Sequence, residues 1–254
     1  MKAKLTKILK AALVAAFWIL IWHVISAAVA REILVPSPAR TLEALISLAA
    51  TQKFWQAVGA SMLRIFAGFI MAMAAGILGA LLSYRFRFFE FITAPILSLV
   101  RAIPVASFII LALVWIKTNF LPVFISFFTV TPIIWDTVLS GMRGTDKAAL
   151  EAAAVDGAGK WEQMFFIIIP GLYPTFLSSF VTGLGFAWKS GIAAEVICRP
   201  KTSLGSMLQD AKMYIESPEL FALTGTVILL SLVIENLLKY AYKQWAKKRD
   251  MVKI

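Results

Sequence analysis

The chain has 254 residues, of which 60% are hydrophobic and 15% charged. Soluble domains average about 45–50% apolar and about 25% charged residues, so this balance excludes an ordinary water-soluble globule and points to lipid around most of the chain. The formal net charge is +11, yet the basic residues gather at the ends of apolar runs, which is the pattern of membrane orientation and not of nucleic-acid binding.

A spanning helix needs roughly 20 mostly apolar residues. Six stretches supply them: 9–30, 58–83, 91–116, 119–141, 172–196 and 219–242. None alternates like a barrel strand, and lipid offers backbone groups no partner outside a helix or a closed barrel. The expected fold is therefore all-α: a polytopic membrane protein with about six transmembrane helices. No repeat, linker or low-complexity segment divides it, so 1–254 reads as one transmembrane domain.

The first stretch begins with Lys2, Lys4, Lys7 and Lys10 and ends at Ala28-Val29-Ala30. That also describes a cleavable signal peptide, but the run is long for one and carries bulky Trp18 and Trp22, which favours a retained span. Pro36-Ser37-Pro38 then interrupts the chain. Ser37 suits an N-cap and Pro38 a first turn. Leu42, Leu45, Ile46, Leu48 and Ala49 follow at helical spacing, predicting a short amphipathic helix on the outer surface. The second span carries Gly68, Ala72, Gly76 and Ala80 at four-residue intervals, a stripe that lets a second helix approach closely. In the third, Pro104 predicts a local break just after Arg101.

Between the fourth and fifth spans lies a polar segment, 142–170. Gly141 and Gly144 close the fourth span. Thr145 and Asp146 are helix starters, Ala148 to Ala154 a strong helix former, and Gly157 supplies the positive φ that ends a helix. A second short helix is expected from Lys160 to Ile169, with Pro170 at the entry to the fifth span. Two short helices meeting at a bend make a compact projection whose small side chains admit a partner's groove.

Orientation follows from Lys and Arg. With the N-terminus inside, the inner loops hold the four N-terminal lysines, Arg85, Arg87, Arg143, Lys147, Lys160 and the C-terminal cluster of Lys239, Lys243, Lys247, Lys248, Arg249 and Lys253; the outer loops hold fewer. Both termini and the 142–170 loop are thus expected in the cytoplasm of a cell with an inner or plasma membrane. Trp22, Trp55, Trp115 and Trp245 fall near predicted interfaces and read as belt residues.

The loop resembles the EAA signature of ABC importer permeases, the binding-protein-dependent inner-membrane components. Glu151-Ala152-Ala153, Gly157 and Ile167-Ile168-Ile169-Pro170 carry the likeness, with Ile169 where the family usually has Leu. Val35-Pro36-Ser37-Pro38, Ser61-Met62-Leu63-Arg64 with Gly68-Phe69, Arg101-Ala102-Ile103-Pro104, Trp188 to Glu195 and Ser203-Leu204-Gly205 resemble the nitrate/sulfonate/taurine-type branch. The resemblance covers about residues 34–240. It implies a cytoplasmic ATP-binding subunit gripping a coupling helix at Glu151, Ala152, Ala153, Asp156 and Gly157. It further implies an extracytoplasmic substrate-binding protein, a second permease subunit and alternating access for a small solute. The chain has no Gly-rich phosphate loop of the Walker type, so ATP hydrolysis is expected in the partner, and this chain is not expected to be an enzyme.

Ionisable residues inside spans cost about 2.5–3.5 kcal/mol at a helix centre, so they face a partner or water. Arg101, Lys189 and Glu195 are the candidate translocation-pathway residues, the two cations favouring an anionic solute. Lys189 and Glu195 lie on different faces of one helix and need separate partners or an aqueous cavity. Arg64 reads as an interfacial anchor, and Asp136 as structural. The single His (His23) and single Cys (Cys198) leave no disulfide, metal cluster or catalytic triad to assemble, so no metal or cofactor is expected. Two other classes compete with an importer subunit. An ion-coupled secondary transporter should show paired repeats with broken helices, and a membrane enzyme needs a catalytic constellation; neither feature is found.

Overall fold

A computed structural model describes residues 2–250; at 2–5, 7, 8, 11, 174, 178, 241–243 and 245–250 it describes the backbone alone. The side chains of Lys2, Lys4, Lys7, Lys243, Lys247, Lys248 and Arg249, all of Lys253, and the belt side chain of Trp245 thus lie outside the described residues.

The described residues form helices and short connections. In chain order these are α1 (Lys2–Val29), α2 (Pro38–Ala49), α3 (Gln52–Arg85), α4 (Arg87–Ala102), α5 (Val105–Ala112), α6 (Leu121–Arg143), α7 (Lys147–Val155) and α8 (Lys160–Gln163). A π-helical turn (Met164–Ile168) leads into α9 (Ile169–Cys198), followed by α10 (Leu204–Met213) and α11 (Ser217–Asp250). Four helices are long and apolar enough to cross a membrane, and six crossings result if each of two bent pairs counts as one. This matches the all-α, six-span expectation in number but not in shape. The third stretch, 91–116, is no straight span. It is α4 and α5, bent by 102° where Ile103 and Pro104 interrupt the helix. Pro104 has no N–H to donate and disfavours helical backbone in the residue before it. The fifth stretch bends by 51° between Tyr173 and Thr175, at Pro174.

Helices α3, α6 and α9 make the central core, with Ile65, Phe69, Val130, Ile134, Leu184 and Trp188 all buried in it. The small-residue stripe explains how they fit. Gly68, Ala72, Gly76 and Ala80 are buried on one face of α3, and a Cβ on Gly68 would lie 2.3 Å from the Val123 carbonyl oxygen of α6. Only missing side chains permit backbones that close. Polar groups close the α6–α9 seam: Ser126 donates to the Ala187 carbonyl at 3.1 Å, and the Thr129 and Ser190 hydroxyls meet at 3.0 Å.

The amphipathic helix expected after Pro36 is α2. Ser37 caps it by accepting from the Arg40 N–H, and Pro38 opens its first turn. It joins α1 to the start of α11: Trp22 donates to the Pro36 carbonyl and stacks on Phe221, Ser26 donates to the Val35 carbonyl, and Ser217 donates to the Ile33 carbonyl. The rest of α1 is largely exposed. Below, "loop end" denotes the end of the bundle carrying α7 and α8, and "far end" the end carrying α2 and α10.

Candidate coupling loop and intramembrane charges

The expected projection is present. Gly144 caps α6, its N–H donating to the Ser140 carbonyl. Asp146 caps α7, its carboxylate accepting from the Ala148 N–H at 2.9 Å. Helix α7 ends in a paired turn: the Gly157 N–H donates to the Ala154 carbonyl and the Ala158 N–H to the Ala153 carbonyl. This is the Schellman arrangement, which needs a left-handed residue where Gly157 sits at φ +85°. Glycine meets that demand without the roughly 1–2 kcal/mol that a Cβ costs there. The chain then turns into α8, where the Gly159 N–H donates to the Glu162 carboxylate at 2.6 Å.

Glu151, Ala152, Asp156 and Gly157 are exposed, and Ala153 is half-buried. Beside them stand large apolar side chains with little cover: Val155 is 87% exposed and Trp161 77%, and Phe165 and Phe166 also lie open. Polar acceptors, small residues and uncovered aromatics thus share one projection. The second helix differs from expectation. Instead of a separate helix ending at Pro170, α8 runs through the π turn straight into α9, with Pro170 in the first turn of α9. The projection thus joins two core helices, reaching α6 through Gly144, Thr145 and Asp146 on one side and running into α9 on the other.

Among the described residues, the charges singled out in the sequence fall into the pairs Arg64–Glu195 and Arg101–Asp136, with Lys189 apart. Glu195 is fully buried, and its partners come from two other helices: Ser61 and Arg64 of α3 donate at 2.6 Å and 3.2 Å, and the Gly205 N–H of α10 at 3.3 Å. Arg64 also donates to the Thr202 carbonyl at 2.7 Å. This corrects two expectations. Arg64 is not an interfacial anchor, because its guanidinium turns inward and is only 18% exposed. Glu195, expected to line the passage, is instead buried, and its carboxylate ties α3, α9 and α10 together. Gly205 makes the clamp possible, since a Cβ there would lie 2.3 Å from the Glu195 Cβ. Sequence had offered a hint: two charges placed in spans, each in need of a partner.

Arg101, on the last turn of α4, pairs with Asp136 of α6, and both remain part-exposed. Nearer the loop end, Glu90 of α4 pairs with Arg143 at 2.5 Å. Lys189 is exposed on α9, in a stripe with Thr182, Phe186, Ala193 and Ile197, and has no ion-pair partner among the described residues. Cys198 is buried and donates to the Thr118 carbonyl at 3.4 Å, an inert thiol in a packed seam. Among the described residues no three His, Cys, Asp or Glu side chains converge as metal ligands.

Residues 65–247 match the model of the family described as "Binding-protein-dependent transport system inner membrane component". The chain is 26% identical over 223 residues to the taurine transport system permease protein TauC of Escherichia coli K12, covering 84% of this chain and 80% of that protein. It is 28% identical over 231 residues to a probable ABC transporter permease protein of Brucella abortus (strain 2308), covering 89% and 91%. Among solved structures, a chain of a bacterial ABC transporter involved in the import of the acidic polysaccharide alginate superposes with a TM-score of 0.66 at 16% identity, covering 95% of this chain and 96% of that one.

Proposed function

The chain belongs to the family of binding-protein-dependent transport system inner membrane components, and from that premise we propose how this permease subunit of an ATP-driven importer works. Residues 142–170 are its coupling element, with Glu151, Ala152, Ala153, Asp156 and Gly157 at the surface that a cytoplasmic ATP-hydrolysing subunit grips. The observation that carries this reading is the projection itself. It is an alanine-rich helix ended by a left-handed glycine, flanked by uncovered Val155 and Trp161, joined to α6 by three residues and continuous through α8 with α9. A groove closing on it would bury the apolar side chains that the chain leaves open, and would pull on two core helices at once. The subunit does no bond chemistry of its own; its work is alternating access.

The assembly follows from charge. Part-exposed Arg101 and Asp136 and exposed Lys189 would cost several kcal/mol facing lipid. A second copy of the chain, enclosing an aqueous passage, removes that cost. Lys189, which has no carboxylate partner among the described residues, supports passage of a small anionic solute more strongly than Arg101, whose charge Asp136 already balances. One relative is named for taurine, which carries an anionic sulfonate group beside its ammonium. Glu195 is left out of the passage by its burial. The Lys and Arg distribution supports both termini and the loop inside the cell membrane, which leaves α2, α10 and the connection at 199–203 to meet the extracytoplasmic capture protein.

The test is Gly157→Asp in the assembled transporter. A Cβ at Gly157 meets nothing within 4 Å of its own chain, so the change acts on the turn and on whatever closes over it, while the core is untouched. The expected result is normal amounts of the chain in the membrane with capture-protein-dependent uptake lost and less ATPase co-purifying. Wild-type uptake at wild-type membrane level overturns the reading.

A further inference from the structure

Helix α4 is attached to the core in an unusual way. None of its residues is buried, and Phe88, Phe91, Ile96 and Leu99 stand open along it. What joins it to α6 is an ion pair near each end and one aromatic stack beside the first. Glu90 pairs with Arg143, Phe89 stacks on Trp135 at 5.8 Å, and Arg101 pairs with Asp136. The helix after the break behaves differently. Ile109 and Ala112 of α5 are buried against Leu121 and Ile125 of α6 and Ala194 and Cys198 of α9. Thus α5 is packed into the core at the far end, whereas α4, joined to α3 through Phe86 and to α5 through the Ile103-Pro104 bend, meets α6 chiefly through charge.

Arg143 is the last residue of α6, and only Gly144, Thr145 and Asp146 separate it from α7. Any displacement of the projection that reaches α6 reaches Arg143 first. A helix bound by buried apolar surface would follow the core whatever Arg143 did. A helix with nothing buried follows α6 through specific contacts, beside its one-residue joint to α3 at Phe86.

We propose that the Arg143–Glu90 ion pair is the positioning contact through which the coupling loop moves α4, and with it the Arg101 guanidinium at the edge of the passage. The proposal rests on the reading of 142–170 as the ATPase-coupling element. Neither residue touches solute; both act through where they hold α4. In the state described here the pair is closed, so α4 lies against α6.

The experiment uses the complete transporter, permease with its ATPase and capture protein, in liposomes. A nitroxide is placed at Ile96→Cys in a Cys198→Ser background, and its spectrum is compared without nucleotide and with ATP trapped by vanadate. The expected result is a nucleotide-dependent change in label mobility with the native pair, loss of that change in Glu90→Gln and in Arg143→Gln while ATP hydrolysis persists, and its return in the exchanged double variant Glu90→Arg/Arg143→Glu. A purely structural contact would alter the spectrum equally in both nucleotide states. No change with the native pair, an unchanged response in the single variants, or failure of the exchange to restore it overturns the proposal. Gly157→Asp separates the two levels. If it retains the full nucleotide response, the coupling-loop reading itself is wrong; if it loses the response while Glu90→Gln keeps it, only the role of the ion pair is wrong.

Discussion

Replacing Arg64 by Met should be among the most damaging single changes in this chain, although Arg64 lies far from the coupling loop. The Glu195 carboxylate it serves is fully buried. Arg64 supplies its one positive partner at 3.2 Å and also holds the Thr202 carbonyl at 2.7 Å. Breaking a buried pair from one side typically costs about 3–5 kcal/mol, because a charge is left without compensation. Ser61 and the Gly205 N–H still donate to the carboxylate, and a proton can neutralise it, so roughly 3 kcal/mol is the expected loss. Glu195→Gln strands the guanidinium instead and should also destabilise. In the double variant Arg64→Met/Glu195→Gln neither charge remains, and the amide still accepts from Ser61. Its loss should fall short of the sum of the two single losses by about 1–3 kcal/mol. The assay is reversible unfolding of the purified permease in mixed detergent micelles with increasing dodecyl sulfate, followed by loss of helical circular dichroism. Additive losses within about 0.5 kcal/mol would refute the clamp as a coupled unit.

Two further outcomes follow from packing. Gly79→Ala places a Cβ 2.2–2.5 Å from the Trp135 ring, which Ser83 and Phe89 hold in place, so a loss of about 1–3 kcal/mol is expected. Gly185→Ala, with nothing within 4 Å, should be neutral or gain up to about 1 kcal/mol of helix propensity; the same unfolding curves rank the two, and equal midpoints would contradict the α3–α6 contact described here. The buried Cys198 thiol should resist a water-soluble maleimide in the native permease and react fully in dodecyl sulfate, read by mass shift; rapid native modification would place the end of α9 in water.

Local and periodic features were legible in the sequence because they are written in short range. The Ser37 cap, the four-residue stripe on α3 and the Asp146-to-Gly157 helix each depend on neighbours within a few residues. The Arg64–Glu195 clamp was not legible, because its partners lie 131 residues apart and no period links positions on different helices. Arg64 consequently read as an anchor and Glu195 as a pathway residue. The bend in the third span was half legible: Pro104 announces a break, but the 102° turn depends on α5 packing against α6 and α9. The outer limits of the spans were underestimated because hydropathy marks only what must be dry, whereas α3 continues for 34 residues to Arg85.

The π turn at Met164–Ile168 sets a phase. Such a turn amounts to one residue inserted into an α-helix, and here the Ile169 N–H reaches back to the Met164 carbonyl. Deleting a single residue from this stretch would restore α-helical winding. It would swing α8 by about 100° around the axis, so that Trp161 would point along a different compass bearing while α9 stayed where it is. The azimuth of the projection is therefore encoded in a residue count, and a shortened copy of this chain could fold, enter its membrane and still offer its handle to the wrong quarter.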